Sequence, residues 1–163
     1  MDVNEGTDRR GIDAVVAYLA DAGVSHEIVD HEQTFTAGAE ARAAGVKPDH
    51  AAKTVVLREG EEYRLAVIPA SERLDLHKVR DLLGASGLRL ASEDEMEADL
   101  ADFEVGAVPP LGPMVPAPEV VDRRLLEHDR ILCTGGDHRH SVLMDPQDLV
   151  RLTEAKTADV CED

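Results

Sequence analysis

The chain of 163 residues has no tryptophan, two phenylalanines and two tyrosines. It is equally short of lysine, with Lys47, Lys53, Lys78 and Lys156 set against 13 arginines. Cysteine occurs twice, at Cys133 and Cys161. Two isolated thiols do not make a disulfide framework. No apolar run approaches the roughly 18 residues needed to cross a bilayer. The N-terminus, Met1-Asp2-Val3-Asn4-Glu5, is polar and acidic, unlike a signal peptide. These absences point to a soluble protein with the cytoplasm as its default compartment. No Gly-x-x-x-x-Gly-Lys phosphate loop, no Gly-x-Gly-x-x-Gly fingerprint and no Gly-x-Ser-x-Gly elbow occurs.

What is present is acid. Asp and Glu number 34 against 17 Lys and Arg, a formal net charge of −17. The acids are spread along the chain rather than gathered in a tail. An acidic protein for cationic partners is one reading. The preferred one is a halophilic surface, suited to molar salt, where screening over about 3 Å removes the self-repulsion. Hydrophobic residues make up 43%, enough for a globular core. The length fits one domain over residues 1–163, with 1–7 as a flexible start.

Apolar spacing predicts a helix over 8–22, closed by Gly23. A strand follows over 24–29, and a small alanine-rich helix over 36–44. The clearest β signal is a hairpin, 54–57 and 63–68, around a polar turn at 58–62. Asp75 reads as the cap of a helix ending at Gly84, and Ser92-Glu93-Asp94-Glu95 as a capping box. Residues 103–118 hold five of the eight prolines and read as a long ordered loop, a type that is usually functional. Strands are expected at 120–121, 131–133 and 141–144, with a turn at Gly135-Gly136. Asp145-Pro146 opens a last helix through Leu152. The order is mixed α and β with at least one antiparallel hairpin, so not a purely parallel doubly wound sheet.

Three side-chain groups invite chemistry. In Asp137-His138-Arg139-His140, a strand would put both histidines on one face, but two ligands do not close a metal site. A polar loop is the plainer reading. Cys133 follows Ile131-Leu132 in a core strand, where a free thiol is inert. His26, His31, His50, His77 and His128 are isolated in sequence and are expected at the surface. Lys53 differs. It opens the apolar strand Ala51-Ala52-Lys53-Thr54-Val55-Val56-Leu57 in a chain that otherwise uses arginine. An ammonium there is a compact donor for a carbonyl, carboxylate or phosphate oxygen, if it does not simply reach for water.

That strand resembles the lysine-threonine strand of the YbaK/prolyl-tRNA synthetase-associated editing domain family. Gly106-Ala107-Val108-Pro109-Pro110-Leu111-Gly112 is similar to the family's Gly-x-x-x-Pro-Phe/Leu-Gly loop. Leu74-Asp75-Leu76-His77-Lys78 resembles its Leu-Asp-Leu helix. Thr134-Gly135-Gly136, Asp145-Pro146-Gln147-Asp148-Leu149 and Ala158-Asp159-Val160 resemble its C-terminal part. The motifs run in order from about Ile12 to Val160.

The resemblance implies a mixed, largely antiparallel sheet curled into a partly open barrel with surrounding helices. It implies a stand-alone deacylase that hydrolyses the ester of a mischarged tRNA, most often Cys- or Ala-tRNA for proline, without metal or cofactor. Lys53 would be the essential lysine and Thr54 its neighbour. Gly106, Pro110 and Gly112 would shape the amino-acid pocket, and Thr134, Gly135 and Gly136 a second wall. The implied partners are the aminoacylated 3′ end of tRNA and prolyl-tRNA synthetase, not DNA or a membrane. Arg9, Arg10, Arg64, Arg73, Arg80 and Arg139 are candidates for a local basic patch. Two departures stand out: 137–140 replaces a stretch that is usually basic and glycine-containing, and the wall at 31–36 matches poorly. A non-catalytic module that binds the same ligand and a hydrolase using a metal on His138 and His140 are the competing readings.

Overall fold

In the computed structural model, which describes residues 10–163, the hairpin is the central element. Strands β2 (Ala52–Glu59) and β3 (Glu62–Pro69) pair antiparallel from Ala52↔Pro69 to Glu59↔Glu62. The ladder runs further than the residue pattern predicts, so only Gly60 and Glu61 remain in the turn. A two-residue turn needs positive φ, which Gly60 supplies at +61°.

Side chains along β3 alternate between two cores. Leu65 and Val67 join Val15, Leu19, Val121, Ile131 and Leu149. Ala66 and Ile68 join Leu57, Val79, Leu88, Val120 and Val160. Burial on both faces explains why this strand is apolar without interruption from Leu65 to Pro69. The sheet is completed by β4 (Arg89–Leu90), β5 (Glu119–Asp122) and β8 (Lys156–Ala158) in the order β4-β2-β3-β5-β8. The β3–β5 and β5–β8 pairs are parallel. Strand β8, too short to show a period, escapes sequence reading.

A second sheet has the order β1-β7-β6 and is antiparallel throughout, from β1 (His26–Asp30), β7 (His140–Met144) and β6 (Ile131–Thr134). The expected single sheet curled into a partly open barrel is therefore corrected. The two sheets are separate and touch through one parallel bridge, Ala51↔Leu132. Beyond that bridge β2 and β6 share no ladder, and the wedge between them is open for side chains.

Among the described residues, five α-helices surround the sheets: α1 (Gly11–Asp21), α2 (Ala37–Ala43), α3 (Leu76–Leu83), α4 (Glu93–Asp99) and α5 (Pro146–Thr153). Their starts follow local chemistry. Thr36 Oγ1 accepts from Ala39 N–H, Asp75 from His77 and Lys78 N–H, and Asp145 from Gln147 N–H. Ser92 and Glu95 form the reciprocal capping box. The flexible start and the first residues of the predicted first helix lie outside the described residues. Residues 103–118 are irregular apart from one 3-10 turn, Gly112–Met114. They are far from loose: Phe103, Val108, Leu111, Val115 and Ala117 sit in the main core.

Candidate functional site

The wedge between β2 and β6 holds a cavity of about 390 Å³. Ala52, Lys53 and Thr54 line it from β2, Thr134 from β6, and Gly106 from the proline-rich loop. The segment 34–38 at the start of α2 supplies the opposite wall, and Glu40, Asp137 and His138 complete it. Lys53 is exposed, whereas Ala52 before it is buried. Pairing with Ile68 fixes its backbone. The Thr54 hydroxyl is buried with no hydrogen-bond partner among the described residues. Such an orphan is costly unless a ligand or water satisfies it.

Of the residues expected at the site, Lys53, Thr54, Gly106 and Thr134 meet in this cavity. Pro110, Gly112, Gly135 and Gly136 do not line it. Pro110 is buried. A Cβ on Gly112 would lie 2.2 Å from the Ala117 carbonyl. On Gly135 it would lie 2.8 Å from the His140 carbonyl, and on Gly136 2.9 Å from the Gly11 backbone. These glycines are close-approach points that let the walls pack, with Gly136 also at φ +93°.

The Asp137–His140 segment does not form a strand with two histidines on one face. His138 precedes β7, and its Nε2–H donates to the Val105 carbonyl at 2.8 Å. Its ring lies 5.0 Å from Phe35 at the cavity mouth. His140 faces another concavity, with Nδ1 2.8 Å from Asp137 and Nε2 3.3 Å from Asp30. Burial pushes the Asp137 carboxyl up, but the Arg139 N–H and His140 more than offset this and hold it below its usual range. The geometry separates the two histidines, which removes the basis for a joint metal site. Cys133 is buried, and burial pushes its thiol far above the ordinary range. It is an inert core residue.

Sequence reasoning missed a buried polar group behind the wall. Glu40 is 6% exposed. It accepts a hydrogen bond from the Ser141 hydroxyl. The His31 side chain, only 1% exposed, places Nε2 2.8 Å from Ser141 Oγ and Nδ1 2.7 Å from the Glu32 carbonyl. His31 is therefore not a surface residue. Burial raises the Glu40 carboxyl, and the Ser141 hydrogen bond and the charges of His31 and His138 counter only part of that rise. No short motif signals this group, because Ser141 lies 110 positions from His31 and 101 from Glu40.

Among the described residues, none of the predicted arginines lines the cavity. Arg64 pairs with Glu62, Arg80 donates to the Leu88 carbonyl, and Arg9 lies outside the described residues. Arg10 lines a neighbouring concavity with Glu93, Glu97 and Glu104. No helix among the described residues is long and apolar enough to cross a membrane.

The model of the aminoacyl-tRNA editing domain matches residues 31–152. The chain belongs to that family. It is 24% identical over 148 residues to the prolyl-tRNA editing protein ProX of Acetoanaerobium sticklandii, spanning 87% of this chain and 90% of the relative. A solved structure described as a proposed trans-editing enzyme for prolyl tRNA synthetase superposes with a TM-score of 0.83 at 30% identity, over 93% of this chain and 97% of the other. A scaffold protein used for computational epitope grafting gives 0.82 at 28% identity, with the same coverage. The ordered motifs thus point to the family that these comparisons show.

Proposed function

We propose that this protein is a trans-acting deacylase that hydrolyses the ester of mischarged tRNA for proline, with cysteine or alanine as the misplaced amino acid. The observation that carries the proposal is the meeting of Lys53, Thr54, Gly106 and Thr134 in one small, walled cavity. An aminoacyl ester is already activated, so positioning and charge stabilisation supply enough acceleration. The Lys53 ammonium anchors the ester and stabilises the negative charge that grows on its carbonyl oxygen. The unpartnered Thr54 hydroxyl is a ready donor beside it. Glu40 and His138 give the wall a polar side suited to the substrate's α-ammonium. The attacking group comes from water or from the substrate itself, whose terminal ribose keeps a free hydroxyl. At about 390 Å³ the cavity lies at the lower end of ligand sites, and size exclusion is the basis of a second sieve. The reaction needs no metal. The partners are the 3′ end of tRNA and prolyl-tRNA synthetase.

The test is release of amino acid from mischarged tRNAs for proline, in low salt and in molar KCl. Wild type should release cysteine or alanine and spare proline, and Lys53→Ala should lose at least about a hundredfold in rate, the usual scale for one such donor. Full activity in Lys53→Ala, or an inert wild type on every substrate, would sink the proposal. Tight binding of an uncleavable aminoacyl-adenosine analogue without ester turnover would identify a binding module instead.

A further inference from the structure

A second cluster of chemical groups lies outside the cavity. Asp49, His50 and His128 each offer one ligand atom, and these atoms lie within 4.8 Å of one another. The imidazole rings of His50 and His128 are in contact, with centroids 3.8 Å apart and planes at 33°. His50 Nε2 lies 3.8 Å from Asp49 Oδ2. In sequence both histidines look isolated. The fold joins them because Ala51, next to His50, bridges Leu132 at the seam of the two sheets.

Two short turns hold the donors. His50 closes the 3-10 turn Pro48–His50, its N–H bonded to the Lys47 carbonyl at 2.9 Å. His128 follows the 3-10 turn Arg123–Glu127. One turn leads into β2 and the other into β6. A bond between them would clasp the seam from outside.

We propose that Asp49, His50 and His128 form a site for a divalent transition metal ion of the zinc class, which clamps the two sheets together. Two imidazole nitrogens and one carboxylate oxygen suit zinc, cobalt, nickel or copper, while magnesium and calcium prefer an all-oxygen shell. A tetrahedral ion needs its donors roughly 3.3 Å apart. The present spacing closes to that by χ1 and χ2 rotations of side chains that are partly exposed. Three protein donors leave one position for water. The ion takes no part in ester hydrolysis. It tethers the chain just before Ala52 and Lys53, which line the cavity.

The experiment is zinc titration of the tag-free, chelator-stripped full chain by calorimetry. About 1 M KCl screens unspecific attraction to the −17 charge, and at about pH 7.5 most imidazoles are neutral. Wild type should take up one zinc ion and no magnesium. Its melting temperature should rise by about 5 °C at saturating zinc. His50→Ala and His128→Ala should each weaken binding at least about tenfold and abolish the thermal shift, while melting like stripped wild type. Asp49→Ala, at an exposed position, should weaken binding without disturbing the fold, and carries the test if a histidine variant does not fold. Absence of zinc uptake by wild type, displacement of zinc by equal magnesium, or unchanged zinc affinity in Asp49→Ala or in the double histidine variant would overturn the proposal. None of these readouts involves deacylation, so the clamp and the editing activity stand or fall separately.

Discussion

Ser141 hydrogen-bonds to Glu40 across 101 positions of sequence, and both residues are buried. His31 extends the pair on the far side of the same hydroxyl. His31 is held at both ring nitrogens, with Nδ1 2.7 Å from the Glu32 carbonyl and Nε2 2.8 Å from Ser141 Oγ. Ser141 donates its hydroxyl proton to Glu40, so one hydroxyl ties the three together. This group joins β7 to the helix that forms one cavity wall.

Ser141→Ala breaks both links and leaves two buried polar groups without a partner. Destabilisation of about 1–3 kcal/mol is expected, read from the midpoint of urea unfolding at constant slope. Glu40→Gln should cost less. The amide oxygen of glutamine still accepts from the Ser141 hydroxyl, as the carboxyl does. A Glu40→Gln loss as large as that of Ser141→Ala would show that the ionised carboxylate matters more than the hydrogen-bond chain.

Two glycines test the reading of the walls in opposite directions. At Gly112 an added Cβ would meet the Ala117 carbonyl at 2.2 Å, a contact only backbone movement can relieve. Gly112→Ala should destabilise by about 3 kcal/mol or more. Gly38 is helical, and an added Cβ there meets nothing within 4 Å. Gly38→Ala should stabilise by about 0.5–1 kcal/mol through helix propensity. Thermal melts of both variants check the pair, and equal effects would refute the distinction between packing and open glycines.

Much of the fold was legible because its determinants are local. The caps at Asp75, Ser92 and Asp145 need only three or four neighbouring residues, and the hairpin needs two apolar runs around a polar turn. The meeting of Lys53 with Gly106 and Thr134 on one cavity was legible because the motifs that carry them occur in family order. What stayed hidden depends on contacts between distant positions. Glu40, His31 and Ser141 form no spaced motif, and neither do His50 and His128. The resemblance misled on the barrel, since closure depends on a ladder between β2 and β6 that stops after one bridge. It also placed Gly112, Gly135 and Gly136 on the cavity, when their contacts are with neighbouring backbone. A glycine motif alone does not tell whether the missing side chain makes room for ligand or for another strand.

Glu119 links the proline-rich loop to the core and predicts a pH dependence. It is buried, with one oxygen accepting from Gly112 N–H at 2.9 Å and the other without a partner. Burial pushes its carboxyl up to about 8 from an ordinary value of 4.5, and the Gly112 hydrogen bond only partly opposes this. The folded state therefore holds the proton more tightly than the unfolded chain. Its contribution to stability is fully present below pH 4.5 and is lost as pH rises through 8. Glu119→Gln keeps an acceptor for Gly112 and cannot ionise. The variant should gain on wild type as pH rises, by a few kcal/mol near pH 9, since each unit is about 1.4 kcal/mol. Near pH 5 the two should differ little, because neutral Glu and Gln each leave one polar group unpaired. Urea unfolding at about pH 5, 7 and 9 measures the difference. A stability difference that stays flat across that range would mean that Glu119 is ionised in the folded protein and satisfied by a group other than Gly112.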